Sequence, residues 1–179
     1  ESGERIEDEG HIVAHSNRLV VSTPLEAEEL IKEYGVVQEK IAVVAPGVDH
    51  TIFKPRDKKE VRKSLGIPFD RTVLVFAGRI DPIKGITVLI EALGNLRKNQ
   101  TEFHTCVCTY LIGGDIEKNE FWELPEVVKI QNLIKKHNID CCVEFIGAKP
   151  HDELALYYAA ADVVVAPSLY ESFGLSTLE

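Results

Sequence analysis

The chain has 179 residues, 45% of them hydrophobic, which is enough apolar material for the core of a domain of ordinary size. Its formal net charge of -9 argues against a nucleic-acid binder, whose phosphate contacts need clustered cations. No apolar run approaches the roughly 20 residues of a membrane span and no signal-peptide pattern is present, so no membrane partner is expected and the expected compartment is the cytoplasm.

Much of the excess acid stands at the start, in Glu1, Glu4, Glu7, Asp8 and Glu9, and reads as a solvated helix face or a frayed terminus. His11 and His15 follow at a spacing of four on the same expected helix. That spacing can bind a metal, but no third ligand is near, so solvated or interface histidines are expected. Thr23-Pro24-Leu25-Glu26 is a helix start, with Thr23 as N-cap, Pro24 in the first turn and Glu26 completing a capping box. Ala27, Leu30, Ile31 and Tyr34 form its apolar stripe and Gly35 its stop. A strand over Ile41–Val44 then leads into the turn Pro46-Gly47-Val48-Asp49. The boundaries read as residues 1–46 for a first unit, 47–56 for a linker and 57–179 for a second unit.

The second unit opens with a charged stretch and a short helix ending near Leu65-Gly66. Four apolar runs then read as strands buried on both faces: 72–77, 106–112, 143–146 and 162–166. Helical patterns separate them, in Ile86, Leu89, Ile90 and Leu93, in Ile130, Leu133, Ile134 and His137, and from about Asp152 through Tyr157 and Tyr158 to the alanines at 159–161. This alternation predicts an α/β fold, a Rossmann-like parallel sheet with helices on both faces. Cys106 and Cys108 fall on one face of a buried strand and behave there as small hydrophobes. Neither they nor Cys141-Cys142 have the spacing that structural zinc sites favour, and all four cysteines are expected to pack.

Three segments carry chemistry. Gly78 follows the first of these strands and lets a ligand approach the backbone, while Arg79 and Lys84 bring two cations to the carboxyl edge of the sheet. A rigid guanidinium fork and a mobile ammonium suit a diphosphate. Gly113-Gly114-Asp115 follows the second strand and reads as a tight connection, with a phosphate-facing turn as the alternative. Trp122 is expected to pack a loop. Glu171-Ser-Phe-Gly-Leu-Ser-Thr-Leu-Glu179 closes the chain. It places two carboxylates and a helix start at the same edge, a combination suited to a ligand both sugar-like and phosphorylated. Glu179 falls within that expected helix, so residues 1–179 read as part of a longer protein.

Taken together, Pro46-Gly47-Val48-Asp49 with Phe53 and Pro55, the run Gly78 to Gly85, and Pro167 to Glu179 resemble the donor-binding half of a family-four retaining glycosyltransferase of the GT-B fold. The last segment matches that family's E-x₇-E motif. The resemblance implies that Arg79 and Lys84 hold the donor's diphosphate, that Glu171 contacts hydroxyls of the transferred sugar, and that Glu179 binds the ribose. It implies further that backbone amides around Phe173, Gly174 and Leu175 reach sugar and phosphate. It also places the base beside the turn through Ile146 and Gly147. Arg79, Lys84 and Glu171 are then the catalytic candidates. No cofactor is implied, and the lack of an Asp-x-Asp motif fits a metal-independent reaction.

The expected activity is transfer of a hexosyl group from a nucleotide diphosphate sugar to a hydroxyl acceptor such as a sugar phosphate or polyol phosphate. UDP is the first choice of nucleotide, with ADP and GDP behind it. The run from Gly78 to Gly85 and the spacing around Gly113-Gly114 resemble most the branch of sucrose-phosphate synthases and inositol-phosphate glycosyltransferases. The glycine-rich loop, acceptor pocket and active-site histidine of the family's amino-terminal domain have no counterpart here, and none of the six histidines takes that role. Residues 1–179 alone are therefore expected to transfer no sugar. A non-catalytic nucleotide-sugar-binding module and a GT-B epimerase are the alternatives.

Overall fold

A computed structural model describes residues 2–99 and 107–179, in two compact units, Glu1–Gly47 and Val48–Glu179. Cys106 lies outside the described residues, as does the side chain of Glu4.

The first unit contains helix α1 (Ser2–His15), strand β1 (Leu19–Val21), helix α2 (Pro24–Tyr34) and strand β2 (Ile41–Val43), with β1 and β2 paired in parallel, Leu19 opposite Ile41. The start of α2 is capped as its sequence predicts, since Thr23 Oγ1 accepts from the Glu26 backbone N–H at 3.1 Å. The reciprocal half differs: Glu26 reaches one residue further and accepts from Ser22 N–H at 2.6 Å. The Tyr34 hydroxyl donates to Glu9 Oε2 at 2.6 Å and ties the end of α2 to α1. His15 Nδ1 bonds the His11 carbonyl at 2.8 Å, an arrangement internal to the helix.

The second unit is built on helix α3 (Lys58–Leu65), strand β3 (Thr72–Ala77), helix α4 (Ile86–Asn99), strand β4 (Val107–Ile112), helices α5 (Asn119–Glu123) and α6 (Pro125–His137), strand β5 (Val143–Phe145), helix α7 (His151–Ala160), strand β6 (Val163–Val164) and helix α8 (Leu175–Leu178). The four strands run parallel in the order β5-β4-β3-β6. Alternation along β3 and β4 sends side chains into two cores. Phe76 and Leu111 meet Ile86, Ile90 and Leu93 of α4 and Ile130 of α6 on one face. Val73, Val75, Tyr110 and Ile112 meet Val61 of α3 and Ala160 of α7 on the other. Covered on both faces, β3 and β4 show no polar stripe, which is why their sequences read as continuous apolar runs.

The fourth strand departs from expectation. Only Val163–Val164 pair as strand, and Val163 is 50% exposed. Among the described residues β6 has a neighbour on one side only, and Pro167 close behind it has no N–H to continue a ladder. The cysteines divide as well. Cys142 is buried against α6, where burial and the neighbouring Cys141 push its thiol up to about 12. Cys108 is half-buried and accepts from Arg71, and Cys141, expected to pack, is exposed. Trp122 does pack a loop, donating from Nε1 to the Ile116 carbonyl at 2.9 Å and meeting Phe145 edge-on.

At the amino edge of the sheet an ionic clasp joins three elements. Asp162 accepts from Arg62 at 2.6 Å, from Lys58 at 2.9 Å and from the Val73 N–H at 2.8 Å. Arg62 is 5% exposed and also donates to the carbonyls of Ala160, Phe69 and Arg71. Partial burial pushes the Asp162 carboxyl up, but the bonds from Lys58, Val73 and Arg62 outweigh it and hold the group at about 2. The folded value lies below the ordinary one, so the clasp stabilises fully above the ordinary carboxylate range and is lost as pH falls through it towards 2. Asp162→Asn should cost about 2–4 kcal/mol at pH 7, since it leaves a buried guanidinium short of its anion. Urea unfolding checks this: the gap between wild type and variant should narrow when the pH is lowered from 7 to 3, and a constant gap would refute it.

Candidate functional site

Because the four strands are parallel, their carboxyl ends open on one edge, where α/β sheets hold ligands. The loops there are laced by backbone hydrogen bonds. Gly78 N–H donates to Ile112, Gly113 N–H to Gly147, and Ala148 N–H to Gly114, at 2.9, 3.0 and 2.7 Å. Gly113 must be glycine, since a Cβ there would run into the Gly78 carbonyl oxygen. The tight connection expected at Gly113-Gly114 is therefore present, and the same glycines also form part of a cavity wall.

That cavity has a volume of about 360 Å³. Gly78 and Arg79 border it after β3, Gly113 and Gly114 after β4, Ala148 and Lys149 after β5, Tyr158 from α7, and Leu175 and Glu179 at α8. Arg79 is exposed and forms no ion pair with any described residue. Ile146 is drawn into the core beside β4, and the Gly147 carbonyl is occupied by Gly113, so the next two residues, Ala148 and Lys149, present themselves to the cavity. Phe173 is half-buried, and Gly174 stands as the cap of α8 with φ 77°.

Lys84 and Glu171 come together at the same sheet edge, although neither is among the residues that line this cavity. The Asp81 carboxylate accepts from Ile83 N–H at 3.0 Å and starts a single helical turn, Pro82–Lys84, which Gly85 ends at φ 65°. The loop after β6 rests on that turn through Leu169 N–H to the Ile83 carbonyl at 2.8 Å. Lys84 Nζ meets Glu171 Oε2 at 2.6 Å, and Ser168 Oγ donates to the same oxygen at 3.1 Å. The hydrogen bond from Lys84 is the main reason the Glu171 carboxyl lies below its ordinary range. Burial opposes it, and Ser168 adds to it.

Tyr158 is a site residue that sequence reasoning assigned only to a helix. Its hydroxyl points to Glu179 Oε2 at 3.5 Å, and burial, followed by the Glu179 charge, raises its pKa above the ordinary tyrosine value. The available signal was a phenol in an alanine-rich helix that begins at the ligand edge. Among the described residues no group of three or more His, Cys, Asp or Glu is arranged to hold a metal ion.

A doubly covered parallel sheet with cations after β3 and carboxylates after β6, all on its carboxyl edge, defines a domain of the C-terminal GT-B type. The comparisons agree. The pattern of the family described as "Glycosyl transferases group 1" matches residues 57–179. D-inositol 3-phosphate glycosyltransferase 2 of Catenulispora acidiphila is 35% identical over 98% of this chain and 40% of its own. The D-inositol 3-phosphate glycosyltransferase of Kribbella flavida is 37% identical, again over 98% of this chain and 40% of its own. Among solved structures, the sucrose-phosphate synthase of Thermosynechococcus elongatus superposes with a TM-score of 0.80 at 27% identity, over 97% of this chain and 40% of the other. Anabaena HepE, in complex with UDP and glucose, shares the fold with a TM-score of 0.77 at 22% identity, over 97% and 44%. The chain belongs to the glycosyl transferases group 1 family, and it spans about 40% of the length of the inositol-phosphate relatives it matches.

Proposed function

We propose that this chain supplies the donor-binding half of a retaining hexosyltransferase that uses a nucleotide diphosphate sugar, UDP-linked in the first instance. Arg79 and Lys84 bind the diphosphate, Glu171 the hydroxyls of the transferred sugar and Glu179 the ribose, with amides around Phe173-Gly174-Leu175 reaching sugar and phosphate. The base lies by the turn after β5, around Ile146 and Gly147. The acceptor is a hydroxyl compound such as a sugar phosphate or polyol phosphate, a class that includes the inositol phosphate named for the relatives. In the reaction the bond from the anomeric carbon to the diphosphate oxygen breaks and its electron pair leaves with the diphosphate. The acceptor oxygen takes the anomeric carbon and releases its proton.

The observation that carries this reading is the grouping of two cations and two carboxylates at one sheet edge, with Lys84 and Glu171 2.6 Å apart and Arg79 and Glu179 on one cavity. Negative charge grows on the departing diphosphate, so preorganised cations act most strongly in the transition state. A carboxylate is a strong acceptor for sugar and ribose hydroxyls.

Calorimetry on the full-length enzyme tests the assignment. Glu171→Gln should weaken UDP-glucose and spare UDP, whereas Glu179→Gln should weaken both, by about 1–3 kcal/mol for a charge-assisted hydrogen bond. Equal losses of both ligands in both variants would refute the division of roles. Thermal shifts with UDP-, ADP- and GDP-glucose decide the nucleotide, because a ligand that binds the folded state raises the midpoint by mass action.

A further inference from the structure

We propose that Ser168 is a positioning residue for glycosyl transfer, anchoring Glu171 through one carboxylate oxygen so that the other is left to the transferred sugar. The inference rests on the donor reading above. Oε2 of Glu171 takes both side-chain donors, Lys84 Nζ at 2.6 Å and Ser168 Oγ at 3.1 Å. Among the described residues no side chain donates to Oε1, and the one further donor to this carboxylate is the Gly174 backbone N–H, in the loop that is itself to face the sugar.

The two donors are not equivalent. Lys84 carries a mobile charge that the incoming diphosphate also attracts, so its hold on Glu171 is shared once donor binds. A serine hydroxyl is neutral and does not answer to the phosphate. It keeps the carboxylate in place when the cation is drawn aside.

The backbone is held on both sides of Ser168. On its amino side the Pro167 carbonyl is seated against Gly85, where any Cβ would collide with it. On its carboxyl side Leu169 N–H is bonded to the Ile83 carbonyl at 2.8 Å. The hydroxyl is thus attached to the same turn that presents Lys84, and donor cation and sugar-binding carboxylate are set from one frame. A glutamate on a loop has several rotamers, and orientation of this kind contributes to rate more than to affinity.

The test uses the full-length enzyme with UDP, UDP-glucose and its C4 epimer UDP-galactose. Ser168→Ala should lower kcat with UDP-glucose roughly ten-fold, leave UDP affinity unchanged and reduce discrimination between the epimers. Ser168→Thr, which keeps the hydroxyl, should restore most of the rate. In a Glu171→Gln background Ser168→Ala should have little further effect, because the group it positions is already altered. Parallel losses of UDP affinity and turnover, or full additivity with Glu171→Gln, would overturn the proposal. If Glu171→Gln itself leaves turnover intact, the donor reading fails. If Glu171→Gln is damaging and Ser168→Ala is silent, only the positioning role fails.

Discussion

Replacing Lys84 or Arg79 with alanine should lower kcat of the full-length enzyme by about 10²-fold or more, with a smaller effect on donor affinity. The two losses should nevertheless differ in their pH dependence. Lys84 bonds Glu171 at 2.6 Å and is the largest cause of that carboxyl's depressed pKa. Removing it lets the carboxyl rise, so Glu171 takes a proton at higher pH and the acid side of the rate profile moves upward. Arg79 has no ion pair with any described residue, and Arg79→Ala should reduce the rate without moving that limb. Rate profiles of wild type and the two variants decide the matter. Unchanged kcat in both variants would sink the diphosphate assignment, and a shared acid limb would remove the distinction between the cations.

Gly85→Ala should be nearly as damaging although Gly85 carries no side chain to touch a ligand. Its φ of 65° disfavours alanine by about 1–2 kcal/mol, and the new Cβ would meet the Pro167 carbonyl oxygen. The turn must change or the loop after β6 must lift, and either movement separates Lys84 from Glu171. Stability should fall by about 2–3 kcal/mol and turnover should approach that of Lys84→Ala. Urea unfolding together with steady-state kinetics tests this. A variant of normal stability and normal rate would show that the contact between the loops is dispensable.

The parts most legible in the sequence were those set by local rules. Thr23, Gly35 and Gly66 announce helix ends through capping and left-handed geometry, and all three stand where expected. Double burial makes β3 and β4 continuous apolar runs, and their pairing as neighbours follows from the parallel alternation. The run 162–166 carried the same signal. Its length was overread because a sequence does not state which strand sits at the edge. The grouping of Arg79, Lys84, Glu171 and Glu179 could be read because strand ends place loop residues on one side whatever the details. The role of Asp162 could not. Its partners Arg62 and Lys58 are 100 and 104 residues away, and no local pattern pairs them. Tyr158 was hidden for a related reason: a helical stripe gives the face a residue occupies but not which end of it meets a cavity. At the turn after β5 the sequence located the loop but not its facing: the Ile146 side chain packs on the core, and Ala148 and Lys149 line the cavity.

The clasp around Asp162 and the cavity beyond Gly78 and Gly113 lie at opposite ends of the same strands, and this separation bears on how such a domain can diversify. The ion pairs of Asp162 hold one rim and the cavity opens at the other, with the two apolar cores between them. Lys149, Leu175 and Ser176 line the cavity without taking part in either core or in the clasp. On the donor reading proposed above, exchanges at these three places would alter the ligand while sparing both cores and the clasp, so each step would leave a folded protein.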